Sequence, residues 1–158
     1  MPNKSVTISN GGLVCSASPY AAATGVSVLK DGGNAFDAAI AIATVEGVTM
    51  SPMCGLGGEA FALLYHAATK KLYGLTGSGK APKKATKEYF NKAGYTLLPE
   101  EGPLSIAIPG EVSALDKIHS LFGTKSIPYL LEPAIKYAEY GYPIPPVMAR
   151  YFQMELPK

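Results

Sequence analysis

Leu29-Lys30-Asp31-Gly32-Gly33-Asn34-Ala35-Phe36-Asp37-Ala38-Ala39 is the stretch on which the fold turns. Its glycines stop one helix, and Asn34 opens another with a side chain that can accept an unpaired N–H of the first turn. Asp37, three residues on, lies where a negative charge meets the positive end of the helix dipole. Upstream, Ser18 is the cap and Pro19 the first helical residue of a helix carrying Ala22, Gly25, Val26 and Leu29 at helical spacing. Downstream, residues 38–45 are small and apolar on all sides, as expected of a helix packed between layers. Residues 35–48 fall short of the ~18 apolar residues of a spanning helix and are interrupted by Asp37 and Glu46, so they read as a core helix.

Further from this centre the pattern changes period. Gly12-Leu13-Val14-Cys15-Ser16-Ala17 reads as a short buried strand, too brief for a helix. Residues 60–66 and 71–75 are rich in Phe, Leu and Tyr, and the four residues Ala67-Ala68-Thr69-Lys70 between them suit a hairpin. After Pro82 the chain becomes a solvated loop with Lys83, Lys84 and Lys87, leading into a short helix over 86–93. Pro109-Gly110 opens a helix with Val112, Leu115, Ile118 and Phe122 on one face, closed by Gly123. Ser126 and Pro133 each start a short helical piece, the second ending at Gly141, and residues 147–154 form the last helix. The 30 Gly and Pro residues (17 + 13) break the chain often, so short helices are expected.

The chain has 158 residues, 47% of them hydrophobic and 16% charged. The charged share lies well below the roughly 25% of ordinary soluble domains, which argues against disorder. Residues 1–158 have the length of a single domain. A net charge of +2 is too weak a field for nucleic acid or an anionic membrane. Met1 to Ser5 and the glycine-bearing polar stretch after them contain no apolar run of signal length, so export is not expected. Two cysteines, Cys15 and Cys54, favour reduced thiols and a cytoplasmic location. Cys15 reads as an inert core thiol, and Cys54, in a glycine-rich loop, as the accessible one.

Motifs for chemistry are sparse. Gly74-Leu75-Thr76-Gly77-Ser78-Gly79-Lys80 meets seven positions of the phosphate-loop pattern but has Ala81 where a magnesium-binding hydroxyl is needed. Pro82 also pushes Ala81 out of helical conformation, which denies a phosphate its helix N-terminus. Gly55-Leu56-Gly57-Gly58 precedes a strand, which suits a close backbone turn better than a dinucleotide loop. His66 and His119 have no ligand-spaced companions, so no metal and no cofactor is expected.

The order of segments carries more. Residues 12–16, the run Gly32-Gly33-Asn34-Ala35-Phe36-Asp37-Ala38-Ala39, residues 51–61 and Gly102-Pro103-Leu104-Ser105-Ile106-Ala107-Ile108-Pro109-Gly110 together resemble the large subunit of the gamma-glutamyltransferase family. Pro133-Ala134-Ile135 and Ala138-Glu139-Tyr140-Gly141-Tyr142-Pro143 are similar to it as well. The resemblance implies an α+β fold, the N-terminal part of an N-terminal-nucleophile (Ntn) hydrolase αββα sandwich, helix-rich with a few antiparallel strands. It further implies that residues 1–158 are a single, incomplete domain of an autoprocessed precursor several times longer than this chain, in which a freed threonine amine acts as base for its own hydroxyl. None of the threonines here matches the nucleophile motif, so no catalytic residue is expected in this chain. The partners implied are the remainder of the large subunit, the small subunit carrying the nucleophile threonine, and a small-molecule amide substrate.

One binding segment of the family falls within the chain. Where typical members carry an arginine that grips the glutamyl α-carboxylate, the resemblance places Ser78, within Thr76-Gly77-Ser78-Gly79-Lys80-Ala81-Pro82. A serine cannot make the bidentate charged contact of a guanidinium. The segment is similar instead to a branch of amidohydrolases and acylase-like members with a Gly-Ser-Gly-Arg-Ala-Pro form, and Glu59 before the strand points the same way. The substrate-binding residues implied are Ser78, Gly79 and Lys80. Two readings of Lys80 stay open, a ligand for a substrate carboxylate and a solvated loop lysine. At the level of the whole chain, the alternative to an amidohydrolase segment is an inert scaffold or assembly module.

Overall fold

Ser18, Asn34, Thr86 and Ser126 each accept a backbone N–H from the helix that follows, so helix starts lie at the capping residues. The structure is a computed structural model that describes residues 6–100 and 102–155; the reading of Met1 to Ser5 lies outside the described residues. The elements in chain order are α1 (Pro19–Lys30), α2 (Ala35–Thr49), β1 (Ala60–His66), β2 (Lys71–Gly77), α3 (Lys87–Lys92), α4 (Glu111–Phe122), α5 (Ile127–Tyr140) and α6 (Pro146–Glu155). This is a helix-rich α+β chain whose described strands form one antiparallel pair. No helix among the described residues is long and apolar enough to cross a membrane. The chain divides into two compact units, residues 1–55 with 118–158, and residues 56–117.

In the first unit α2 packs against both α1 and α5. Ala21, Val45 and Ala134 form its buried centre, with Tyr20, Ile42, Val48 and Tyr137 packed around them. The small residues let helix axes approach closely, which is what an all-apolar α2 requires. Pro133 does not begin a new helix, contrary to the sequence reading. It lies inside α5, where its missing N–H leaves nothing to donate to the Tyr129 carbonyl. The helix continues because Leu130 and Ala134, on either side of the ring, are buried.

Residues 12–17 are the second departure, for they form no ladder. A strand needs a neighbour for its N–H and C=O groups, and the one sheet of the described residues pairs only β1 with β2. Side chains hold the segment instead: the Ser16 hydroxyl donates to Glu46 Oε1 on α2 at 2.5 Å. Cys15 is consequently exposed, as is Cys54, and neither is in a disulfide, which corrects the reading of Cys15 as a core residue.

Asp37 ties the first unit together. Its fully buried carboxylate accepts from the Asn34 N–H at 3.0 Å, the Thr124 N–H at 2.9 Å, the Thr124 hydroxyl at 2.6 Å and the Lys125 N–H at 3.2 Å. Asn34 completes a capping box by accepting from Phe36 and Asp37, and its amide donates to the Phe122 carbonyl at 2.7 Å. Phe36 stacks on Phe122 with ring centroids 4.5 Å apart. One carboxylate and one amide thus join the start of α2 to the turn between α4 and α5.

In the second unit Ala60 pairs with Gly77 and His66 with Lys71, with Leu63 opposite Gly74 between them. β2 runs two residues past the expected Leu75. One face carries Leu64, buried, with Tyr73 and Leu75 half-buried. The other presents Phe61, Leu63, Tyr65 and Leu72, each at least 60% exposed. The buried face of α4 is Glu111, Ala114 and Ile118, while the expected Val112 is 56% exposed. Ala114 lies so close to Gly77 that a Cβ at Gly77 would collide with its methyl.

Two predictions follow from these packing relations. Burial pushes the Asp37 carboxyl up, but the hydrogen bonds from Thr124, Asn34 and Lys125 outweigh it and hold it below its ordinary value of 3.8. A lowered folded value adds stability that is fully present above about pH 4 and lost as pH falls through the folded value. Asp37→Asn should therefore cost about 2–4 kcal/mol at pH 7, the scale of charged hydrogen bonds with a helix cap, and the deficit should shrink towards pH 3. Urea unfolding of both proteins at the two pH values checks this; a deficit independent of pH would disprove it. Separately, both cysteines of the native chain should react with a maleimide without denaturant, and labelling confined to Cys54 would restore the buried-strand reading.

Candidate functional site

The loop that follows β2 within the second unit carries Ser78, Gly79 and Lys80. β2 brings Gly77 opposite Ala60, and the chain then leaves the sheet with no helix until α3. A phosphate-binding geometry is therefore missing: residues 74–77 are strand, and no helix N-terminus follows Lys80 directly.

Three segments meet around this loop. The Gly58 carbonyl accepts the N–H of Gly110 and of Glu111, each at 3.1 Å. Glu59 Oε1 accepts the Gly79 N–H at 3.4 Å. The Lys80 carbonyl accepts the Ile108 N–H at 3.4 Å. Residues 58–59, 77–80 and 108–111 are thereby laced into one backbone cluster.

The glycines make the lacing possible. A Cβ on Gly79 would collide with the Ile108 backbone, one on Gly110 with the Gly77 carbonyl, and one on Gly77 with Ala114. Gly79 is thus a position of close backbone approach, flanked by the exposed residues Ser78 and Lys80. The Ser78 N–H is turned back to the Thr76 hydroxyl at 3.4 Å. The cluster can present one hydroxyl and one ammonium at fixed backbone positions, which suits recognition of an anion more than bond-breaking.

The remaining sequence candidates lie elsewhere in structural roles. His66 Nδ1 is 2.8 Å from the Thr69 hydroxyl at the hairpin turn. His119 Nε2 donates to the Lys125 carbonyl at 2.7 Å; because a carbonyl can only accept, that nitrogen carries a proton. Among the described residues no three of His, Cys, Asp and Glu come together as metal ligands. Sequence reasoning took Glu59 as a branch marker and missed its bond to Gly79. Its place immediately before β1, with β2 running antiparallel, was the available signal, since that register sets it beside the residues just after Gly77.

Comparison with known proteins identifies the family. The family model for gamma-glutamyltranspeptidase matches residues 21–158. The chain is 35% identical over 150 residues to the glutathione hydrolase proenzyme of Bacillus subtilis (strain 168), covering 92% of this chain and 26% of that protein. It is also 35% identical over 155 residues to the glutathione hydrolase-like YwrD proenzyme of the same organism, covering 98% and 29%. Among solved structures, Helicobacter pylori gamma-glutamyltranspeptidase superposes with a TM-score of 0.87 at 36% identity, covering 95% of this chain and 44% of that one. Cephalosporin acylase from Bacillus halodurans gives 0.81 at 37% identity, covering 98% and 30%. The chain thus spans less than half the length of each of these four proteins. With a family match over most of its length, and relatives on both the hydrolase and the acylase side, the chain belongs to the gamma-glutamyltranspeptidase family.

Proposed function

We propose that this chain is the front of the large subunit of a gamma-glutamyltransferase-like Ntn hydrolase that cleaves amide bonds in small acidic substrates. The observation that carries the reading is the clamped Ser78-Gly79-Lys80 loop in a chain that matches its family over residues 21–158 yet covers 26% of a proenzyme relative. Proenzyme names among the relatives support a processed precursor. The nucleophile is a threonine outside this chain, and its own amine takes the hydroxyl proton as the oxygen attacks the amide carbonyl. The leaving amine departs protonated, and water or an acceptor amine then releases the acyl group. In this scheme Lys80 offsets the substrate carboxylate while the Ser78 hydroxyl donates a neutral hydrogen bond.

Ser78 stands where gamma-glutamyl specificity would need a guanidinium, so a small oxo-acid amide or another short acidic acyl group fits the loop better than a gamma-glutamyl group. Partners are the rest of the large subunit and the small subunit, and their arrival completes a layered αββα sandwich. The exposed face of Phe61, Leu63, Tyr65 and Leu72 supports that reading, because a two-stranded sheet apolar on both sides belongs between layers. That face also favours the second reading, a scaffold module whose only role is assembly.

Kinetics on the assembled enzyme separates the two. Lys80→Ala should lower kcat/KM for acidic amides about 10- to 100-fold, the usual scale for a lost charged hydrogen bond, and leave neutral amides nearly unchanged. Ser78→Arg should improve turnover of a gamma-glutamyl anilide. Unchanged kinetics of Lys80→Ala on every acidic substrate would remove Lys80 from the site and leave the scaffold reading. The chain purified alone should associate and bind a hydrophobic dye; a monomeric, dye-silent chain with a cooperative melt would count against missing partners.

A further inference from the structure

The Gly79 N–H to Glu59 carboxylate bond spans twenty residues of sequence and joins the start of β1 to the loop that leaves β2. The Ile108 backbone also lies so close to Gly79 that no side chain fits there. Residue 58, immediately before Glu59, fixes the 110–111 segment through its carbonyl. The 108–111 strap is therefore anchored to Gly58 and to the Lys80 carbonyl, next to the Glu59 that bonds the loop. Among the described residues the backbone of Ser78 is bonded to the Thr76 hydroxyl and that of Lys80 to the Ile108 N–H. Both flank Gly79 directly, so the bond from Gly79 to Glu59 bears on where both stand.

We infer that Glu59 is a positioning residue for substrate recognition: its carboxylate sets the Ser78-Gly79-Lys80 backbone so that the Lys80 ammonium meets an acidic acyl group. The inference rests on the proposed role of Lys80. The bond needs an acceptor at the end of a side chain of this length, which glutamine also supplies through its amide oxygen. Alanine supplies none. Glu59 thereby acts through Lys80 rather than by touching the substrate, and its contribution is confined to substrates with a carboxylate.

Two measurements test it. Amide hydrogen exchange on the assembled enzyme should show the Gly79 amide exchanging about five- to tenfold faster in Glu59→Ala, as expected when one hydrogen bond on an exposed loop is lost, and close to the parent rate in Glu59→Gln. In the assembled enzyme Glu59→Ala should raise KM for an acidic amide several-fold with kcat little changed, Glu59→Gln should restore it, and a neutral amide should be indifferent to both. The Glu59→Ala/Lys80→Ala double variant should be no worse than Lys80→Ala, since one residue acts through the other. If Lys80→Ala is impaired on acidic amides but Glu59→Ala is not, the inference fails while the role of Lys80 stands. If Lys80→Ala is unimpaired, both fail. Equal damage from glutamine and alanine overturns the inference in favour of a direct role for the negative charge, and equal loss on acidic and neutral amides overturns it in favour of general scaffolding.

Discussion

The Asp37 carboxylate is the interaction on which the first unit depends. A buried carboxylate is tolerated only when hydrogen bonds replace its water, and here two turns of chain supply them, one at the start of α2 and one at Thr124 and Lys125. Because those donors come from chain segments more than eighty residues apart, the charge fixes a chain crossing rather than a local conformation. The apolar body of α2 can then be packed by small residues such as Ala21, Val45 and Ala134, which give a close fit but little directional information. Direction comes from the polar knot, and packing supplies the bulk of the stabilisation.

The second unit is held through close backbone contacts instead. Its glycines at 77, 79 and 110 bring backbones together where any side chain would obstruct them, and the carbonyls and N–H groups so exposed find one another or Glu59. Substitution tolerance should differ accordingly. The Asp37 knot fails by losing acceptors, whereas the glycine cluster fails by gaining a methyl.

Local signals were legible in the sequence because they act over a few residues. Ser18, Asn34, Thr86 and Ser126 announced helix starts through cap chemistry, and the Ala67 to Lys70 spacer announced the hairpin. What failed was non-local. Residues 12–17 have strand composition, but a strand exists only with a partner, and β1 and β2 pair with each other. Pro133 has breaker character, but burial of Leu130 and Ala134 overrides it. The loop of Ser78, Gly79 and Lys80 stood out by its likeness to a family segment, not by spacing. The tie from Glu59 to Gly79 was hidden because nothing in a linear chain marks two residues twenty apart as neighbours until the hairpin register is known.

The proposed reading, in which Ser78 and Lys80 stand where typical members carry an arginine, alters what the backbone must do. A guanidinium carries its own geometry, since its planar fork sets the angle at which a carboxylate is met. An ammonium on a flexible four-carbon stem is a point charge with no preferred plane. On the proposed reading, selectivity that an arginine would hold within its side chain has to come from where the Lys80 backbone is pinned. A rigid loop is therefore worth more on that reading than it would be beside an arginine. The close contact at Gly79, the strap at Ile108 and the Glu59 carboxylate are the features that, on the same reading, let a lysine serve at that position.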